Sequence, residues 1–258
     1  MAYRIAISGK GGVGKTTFAA LTIRFLTEEL GKAVLAVDAD PNATLGAMLG
    51  IQADATVADL REETLEKKDE LPKGMSKDRF VEYKIQQCIV EHKGFDLLTM
   101  GRPEGPGCYC FVNSLLRRYL ERAAGDYPYV VIDNEAGMEH LSRRTDGSVD
   151  LLLIVTEPTV VGAETAGRIA ELARKLRITV KKKAVVLNRV SPSGVPDAIR
   201  ERLAATKLPV AGEIPVDEAV AEASAAGRSL LELPANSLML TSVREILGRE
   251  VERGSRNA

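Results

Sequence analysis

Seven short runs of β-branched and other apolar residues recur along the chain, at 5–8, 33–38, 95–100, 129–133, 151–156, 184–188 and 210–214. Most are apolar at successive rather than alternate positions, the pattern of a strand covered on both faces. Between them lie stretches whose apolar positions recur every three or four residues, as at 163–176 and 197–208, which is the spacing of one helical face. Strand and helix alternating over nearly the whole length predict an α/β fold with a doubly wound, mostly parallel central sheet flanked by helices. No internal repeat and no Ser/Gly linker interrupts the alternation, so residues 1–258 read as a single domain.

Two segments break the rhythm. Residues from about 54 to 93 carry dense charge, including Glu62-Glu63, a Glu66–Glu70 run and Lys77-Asp78-Arg79, and read as a solvated helical insertion. The Gly/Pro-rich segment 101–107 suits neither helix nor central strand, and it leads directly into Cys108-Tyr109-Cys110.

Composition narrows the function classes. A net charge of −1 argues against general nucleic-acid binding, which calls for a basic excess. Aromatic residues at 4%, with no Trp, leave little for base-stacking platforms. No apolar run approaches the ~18 residues of a membrane span. The first strand begins almost at the N-terminus, which leaves no room for a signal peptide. Three cysteines do not make a disulfide framework. The expectation is a cytoplasmic protein with neither nucleic acid nor membrane as partner.

Residues 9–17 read Gly-Lys-Gly-Gly-Val-Gly-Lys-Thr-Thr, after a predicted strand and at the start of a predicted helix. That is the context of a phosphate-binding loop. Gly11, Gly12, Val13 and Gly14 turn backbone N–H groups toward phosphate oxygens. Lys15 reaches the β- and γ-phosphates, the Thr16 hydroxyl ligates Mg²⁺, and Thr17 lies in the first helical turn, whose dipole favours an anion. Lys10 is not required by an ordinary phosphate loop, and its position alone leaves open whether it reaches the phosphates or points outward.

With that lysine, the loop resembles the deviant phosphate loop, Lys-Gly-Gly-x-Gly-Lys-Thr, of the MinD/ParA and nitrogenase iron-protein superfamily. The resemblance implies an ATPase that binds ATP or ADP and forms a nucleotide-sandwich homodimer in which Lys10 reaches the partner's phosphates.

Asp38-Ala39-Asp40-Pro41 ends the second predicted strand, and Asp133-Asn134-Glu135-Ala136-Gly137 a later one. Carboxylates at the carboxyl ends of parallel strands converge where open α/β sheets bind ligands. A single such aspartate is commonly a turn or capping residue. The resemblance assigns Asp40 to positioning the attacking water and Asp133 to holding a Mg²⁺-bound water, with Asp38 expected to assist the metal shell. It also assigns Asn188, at the end of Val186-Leu187-Asn188-Arg189, to the adenine, and Pro215 to the purine face; the amide by itself serves either purine.

Cys108 and Cys110 are two thiolates able to bite one soft or borderline metal ion. Their spacing alone leaves a metal-ligand pair, inert thiols and a local disulfide all open. A closed tetrahedral site needs four ligands, and two chains related by a two-fold axis would supply them. Cys88 lies in a helix-like pattern and reads as a buried small hydrophobe. His92 reads as surface. His140 reads as structural or as a ligand or nucleotide sensor, and Arg143-Arg144 as a solvated pair.

Gly-Pro-Gly-Cys-Tyr-Cys, followed by Asp-Asn-Glu-Ala-Gly-Met-Glu-His-Leu-Ser-Arg-Arg-Thr, resembles the CooC-type carbon monoxide dehydrogenase maturation ATPases over about residues 4–250. The resemblance implies an ATP- and metal-dependent homodimer, with Ni²⁺ or Zn²⁺ on the Cys-x-Cys loop at 101–110 and carbon monoxide dehydrogenase as client. A nickel-loading ATPase for acetyl-CoA synthase and a MinD/ParA-like positioning ATPase are the alternatives. A bridging iron–sulfur cluster of the nitrogenase type is disfavoured, because residues 134–139 contain no cysteine.

Overall fold

In a computed structural model, the described residues are 2–59, 77–102, 125–135, 148–176 and 178–255. They form one eight-stranded sheet flanked by helices. Its strands are β1 (Tyr3–Ser8), β2 (Val34–Ala39), β3 (Ile89–His92), β4 (Phe95–Thr99), β5 (Tyr129–Asn134), β6 (Val149–Thr156), β7 (Val180–Val190) and β8 (Val210–Pro215). The order across the sheet is β3-β4-β2-β5-β1-β6-β7-β8. Every pairing is parallel except β3 with β4. The sheet is therefore doubly wound and mostly parallel, as the unbroken apolar runs predict. All six residues of β2 and all eight of β6 are buried, which requires cover on both faces.

One face carries α1 (Lys15–Arg24) and α7 (Leu238–Ser255). Alpha-helix α1 is buried from Phe18 to Arg24, so it is embedded rather than laid on the surface. It ends in a π-helical turn, Phe25–Glu29. The Arg24 guanidinium there donates to the Leu230 and Leu233 carbonyls at 3.2 and 2.8 Å. In α7, Met239, Leu240, Val243, Ile246, Leu247 and Val251 are buried, and the helix packs on β8 and α1. The other face carries α4 (Val160–Lys175), which presents Ala163, Ala166, Ile169 and Ala173 at helical spacing, and α5 (Asp197–Ala205). Thr159 caps α4 by accepting from Gly162 N–H at 3.0 Å.

Among the described residues the remaining α-helices are α2 (Leu45–Leu49), α3 (Lys77–Gln87) and α6 (Glu218–Ala225). In the segment read as a charged helical insertion, α3 is followed by β3, an antiparallel edge strand that the sequence reading did not separate from it. Four residues with only two apolar members carry too little period-two signal to stand out beside a helix. Val57, Ala58, Ile85 and Cys88 from this segment are buried, and His92 is exposed.

Candidate active site

The central strand β1 is flanked by β5 and β6, and from it the sheet grows in both directions. Ligands of doubly wound folds sit at the carboxyl ends of the strands at this switch point. The phosphate loop leaves β1 here. Gly9 runs so close to β6 that a Cβ on it would lie 2.2 Å from the Val155 carbonyl oxygen. Gly14 has φ +93° and caps α1 with no side chain, leaving the first-turn N–H groups to an external acceptor. A Cβ at Gly14 would also lie 2.4 Å from Asn188 Nδ2.

Lys15 is buried, and its ammonium donates to the Lys10 carbonyl oxygen at 3.2 Å. The Lys10 residue is itself exposed, as are Gly11 and Gly12, whereas Val13 is buried. Thr16 and Thr17 are half-buried in the first turn of α1.

Asp38 and Asp133 are direct partners in the β2–β5 register, and both are fully buried. The Asp38 carboxylate is engaged by its own loop: Oδ2 accepts from Leu45 N–H at 2.8 Å and Oδ1 from Asp40 N–H at 3.2 Å. Burial pushes Asp38 up to about 6, against the pull of those two N–H groups. Asp133 is different, because neither of its oxygens has a hydrogen-bond partner of normal geometry among the described residues. Burial pushes it up to about 7; the Thr16 hydroxyl and the Lys15 ammonium pull it down, and Asp38 and Asp40 oppose them. Thr16 is thus near enough to act on the carboxylate without closing a well-formed bond to it. Half-buried Asp40 accepts from Asn42 N–H and Nδ2 at 2.9 and 2.8 Å.

Asn188 Nδ2 donates to the Val13 carbonyl at 2.8 Å, so this amide braces the phosphate loop from β7. Next to it, Arg189 has φ +57° and pairs with Glu157 at 2.7 Å. Pro215 ends β8, opposite Val190. The segment after it is anchored by Asp217, which accepts from Ala219 N–H at 2.9 Å, Ser237 Oγ–H at 2.6 Å and Met239 N–H at 2.8 Å. Burial alone would raise the Asp217 pKa, but these donors together hold it below the usual range.

Lys15, Thr16, Asp38, Asp40, Asp133 and Asn188 therefore lie at one end of the sheet. The sequence reading missed the buried polar residues beside them, Ser8, Asn134 and Thr156, each with a side-chain oxygen lacking a partner among the described residues. A polar residue ending an apolar run was the available signal. Cys108, Cys110, His140 and Arg143-Arg144 lie outside the described residues.

The sequence pattern of the CobQ/CobB/MinD/ParA nucleotide binding domain matches residues 5–230. This chain belongs to that family. It is a MinD/ParA-type ATPase, and its loop is built to hold ATP or ADP. An uncharacterised ATP-binding protein of Methanocaldococcus jannaschii is 43% identical over 251 residues, covering 96% of this chain and 98% of that protein. The carbon monoxide dehydrogenase accessory protein CooC of Rhodospirillum rubrum is 36% identical, covering 89% and 90%. Among solved structures, the cell division ATPase MinD of Pyrococcus furiosus superposes with a TM-score of 0.70 at 21% identity, covering 98% of this chain and 99% of that one. This last likeness bears on the fold.

The residues present fit a magnesium-bound nucleotide. Thr16 and Asp133 offer oxygen, the donor that Mg²⁺ takes, and the unpaired buried carboxylate of Asp133 suits a cation that arrives with the phosphates.

Proposed function

We propose that this ATPase is a homodimeric metallochaperone that assists nickel insertion into the active-site cluster of carbon monoxide dehydrogenase. The observation that carries the reading is the likeness to the Rhodospirillum rubrum accessory protein over nine-tenths of both chains. The Cys108-x-Cys110 pair gives it a chemical basis. Lys15 neutralises the phosphates, the loop N–H groups orient them, Asp40 positions the attacking water and Asp133 holds a water of the metal shell. The magnesium ion supplies charge neutralisation across the phosphates. Lys10 reaches the partner's phosphates, so ATP favours the closed dimer and hydrolysis relaxes it. A ligand shifts that equilibrium only by its differential affinity for the two states. Nickel, as cargo, is held by two cysteines from each chain, and the protein works in the cytoplasm.

The second reading is a MinD-like positioning ATPase, favoured by the common fold. A membrane-binding version calls for an amphipathic helix with an unused apolar face. In α7 that face is already buried against β8 and α1, which weighs against it. Among the described residues no helix is long and apolar enough to cross a membrane.

Equilibrium dialysis with Ni²⁺ and with Zn²⁺ tests the metallochaperone reading. One ion per two chains is expected, weakening as pH falls because the ligands are thiolates. Replacing Cys108 and Cys110 with Ser is expected to abolish that binding and spare nucleotide binding. One ion per chain, or metal binding that survives the double substitution, refutes the shared site and favours the positioning ATPase. A client assay with carbon monoxide dehydrogenase and acetyl-CoA synthase separates the two nickel enzymes.

A further inference from the structure

Ile7 lies opposite Asp133 in the β1–β5 register, so the next rung sets Ser8 against Asn134. Side chains alternate across a strand. Ile7 and Val131 belong to the core on the α1 face, and Ala6 and Ile132 to the cores on the opposite face. Ser8 and Asn134 therefore share the face away from α1, directly behind the phosphate loop and Asp133.

Both residues are fully buried. The Asn134 amide is anchored on one side only: Nδ2 donates to the Ile7 carbonyl at 2.9 Å and to the Ile132 carbonyl at 3.3 Å. Its Oδ1, and the Ser8 hydroxyl on the adjacent strand, have no partner among the described residues. A buried acceptor and a buried donor left unpaired on neighbouring strands are both costly. An apolar pair at this rung would avoid that cost, so packing does not explain the two polar residues. What distinguishes the pair is its placement. Ser8 immediately precedes the phosphate loop, and Asn134 immediately follows Asp133.

We propose that Ser8 and Asn134 form a latch that opens and closes with nucleotide, in which Ser8 Oγ–H donates to Asn134 Oδ1 when ATP draws the phosphate loop and the end of β5 together. Closure satisfies both buried atoms and fixes the Asp133 backbone relative to Lys15 and Thr16. Asn134 is thus a positioning residue: its amide is held on the Ile7 and Ile132 carbonyls, and it acts through Asp133. A latch that is made in the ATP state and open in the free protein and the ADP state couples ATP binding to the arrangement of Asp133, so its bond contributes to ATP affinity and not to ADP affinity. The proposal rests on the ATPase site and is independent of the metallochaperone reading.

The test compares Ser8→Ala, Asn134→Ala and the double variant by single-turnover hydrolysis and by ATP and ADP binding. Each single variant is expected to lower the single-turnover rate about 10-fold while changing the ADP dissociation constant less than about 2-fold. The double variant is expected to be no slower than Asn134→Ala, because the two atoms form one bond. Multiplicative losses in the double variant, equal losses in rate and ADP affinity, or an unchanged rate in Ser8→Ala would overturn the latch. Ser8→Ala removes one oxygen and adds nothing, so it keeps the test decisive if Asn134→Ala fails to fold.

Discussion

Two buried acids at opposite ends of the sheet, Asp150 and Asp133, are treated in opposite ways. At the amino-terminal end, Asp150 at the start of β6 is fully used: Oδ2 accepts from Arg4 N–H at 2.8 Å, and Lys181 pairs with Oδ1 at 2.7 Å. Glu250 from α7 meets Lys182 at 2.6 Å, an ion pair whose angles are not those of a hydrogen bond. Tyr3 packs edge-on against Tyr129, and burial, with Asp150 and Glu250 nearby, pushes its pKa up to about 12. At the carboxyl-terminal end, Asp133 is more deeply buried and has no hydrogen bond of normal geometry among the described residues. An acid that serves the fold is paired within the fold. An acid left unpaired, at a cost, is kept for something that arrives later.

The largest expected effect separates the ends by pH. A carboxyl whose native pKa lies above its unfolded value keeps its proton longer in the native state. Asp38 rises from 3.8 to about 6 and Asp133 from 3.8 to about 7. Between roughly pH 4 and 7 the native protein thus binds more protons than the unfolded chain, and these two groups make stability fall as pH rises. At one pKa unit per 1.36 kcal/mol, Asp133→Asn is expected to stabilise the nucleotide-free protein at pH 8 by on the order of 2–4 kcal/mol and to flatten the pH slope. Thermal melts from pH 5 to pH 8 check this; a variant with the parent slope would show that Asp133 is paired after all.

Next in size is the response to nucleotide. Lys15→Ala removes the cation nearest the phosphates and is expected to weaken ATP binding on the order of 10²-fold, about 2.7 kcal/mol. Isothermal titration on this variant and on Asp150→Ala sharpens the contrast, since the second is expected to bind ATP like the parent.

The smallest effect belongs to the other end. Asp150→Ala strands the Arg4 N–H and is expected to cost about 1–2 kcal/mol of stability in denaturant melts. A loss of ATP affinity in this variant would break the division between the two ends.

Much of the site was legible before folding was considered. Lys15, Thr16, Asp38, Asp40 and Asp133 stand in short motifs, because a phosphate loop and a strand-end acid are local arrangements of neighbouring residues. Asn188 was legible only through resemblance, since it comes to the phosphate loop from 175 residues away. Ser8 and Asn134 looked like strand ends until the register set them on one rung. The edge strand β3 was hidden because a short pairing takes its identity from its partner, β4.

The sequence by itself determined the unbroken apolar runs that require a sheet covered on both faces, and the glycine-rich loop that requires a phosphate. Both are set by properties of adjacent residues: side-chain hydrophobicity and permitted backbone angles. Only the tertiary structure decided that Asp133 is buried without a well-formed hydrogen bond among the described residues while Asp150 is buried with two partners. Burial and pairing depend on which strands become neighbours and in what register, and that is settled by packing over the whole sheet.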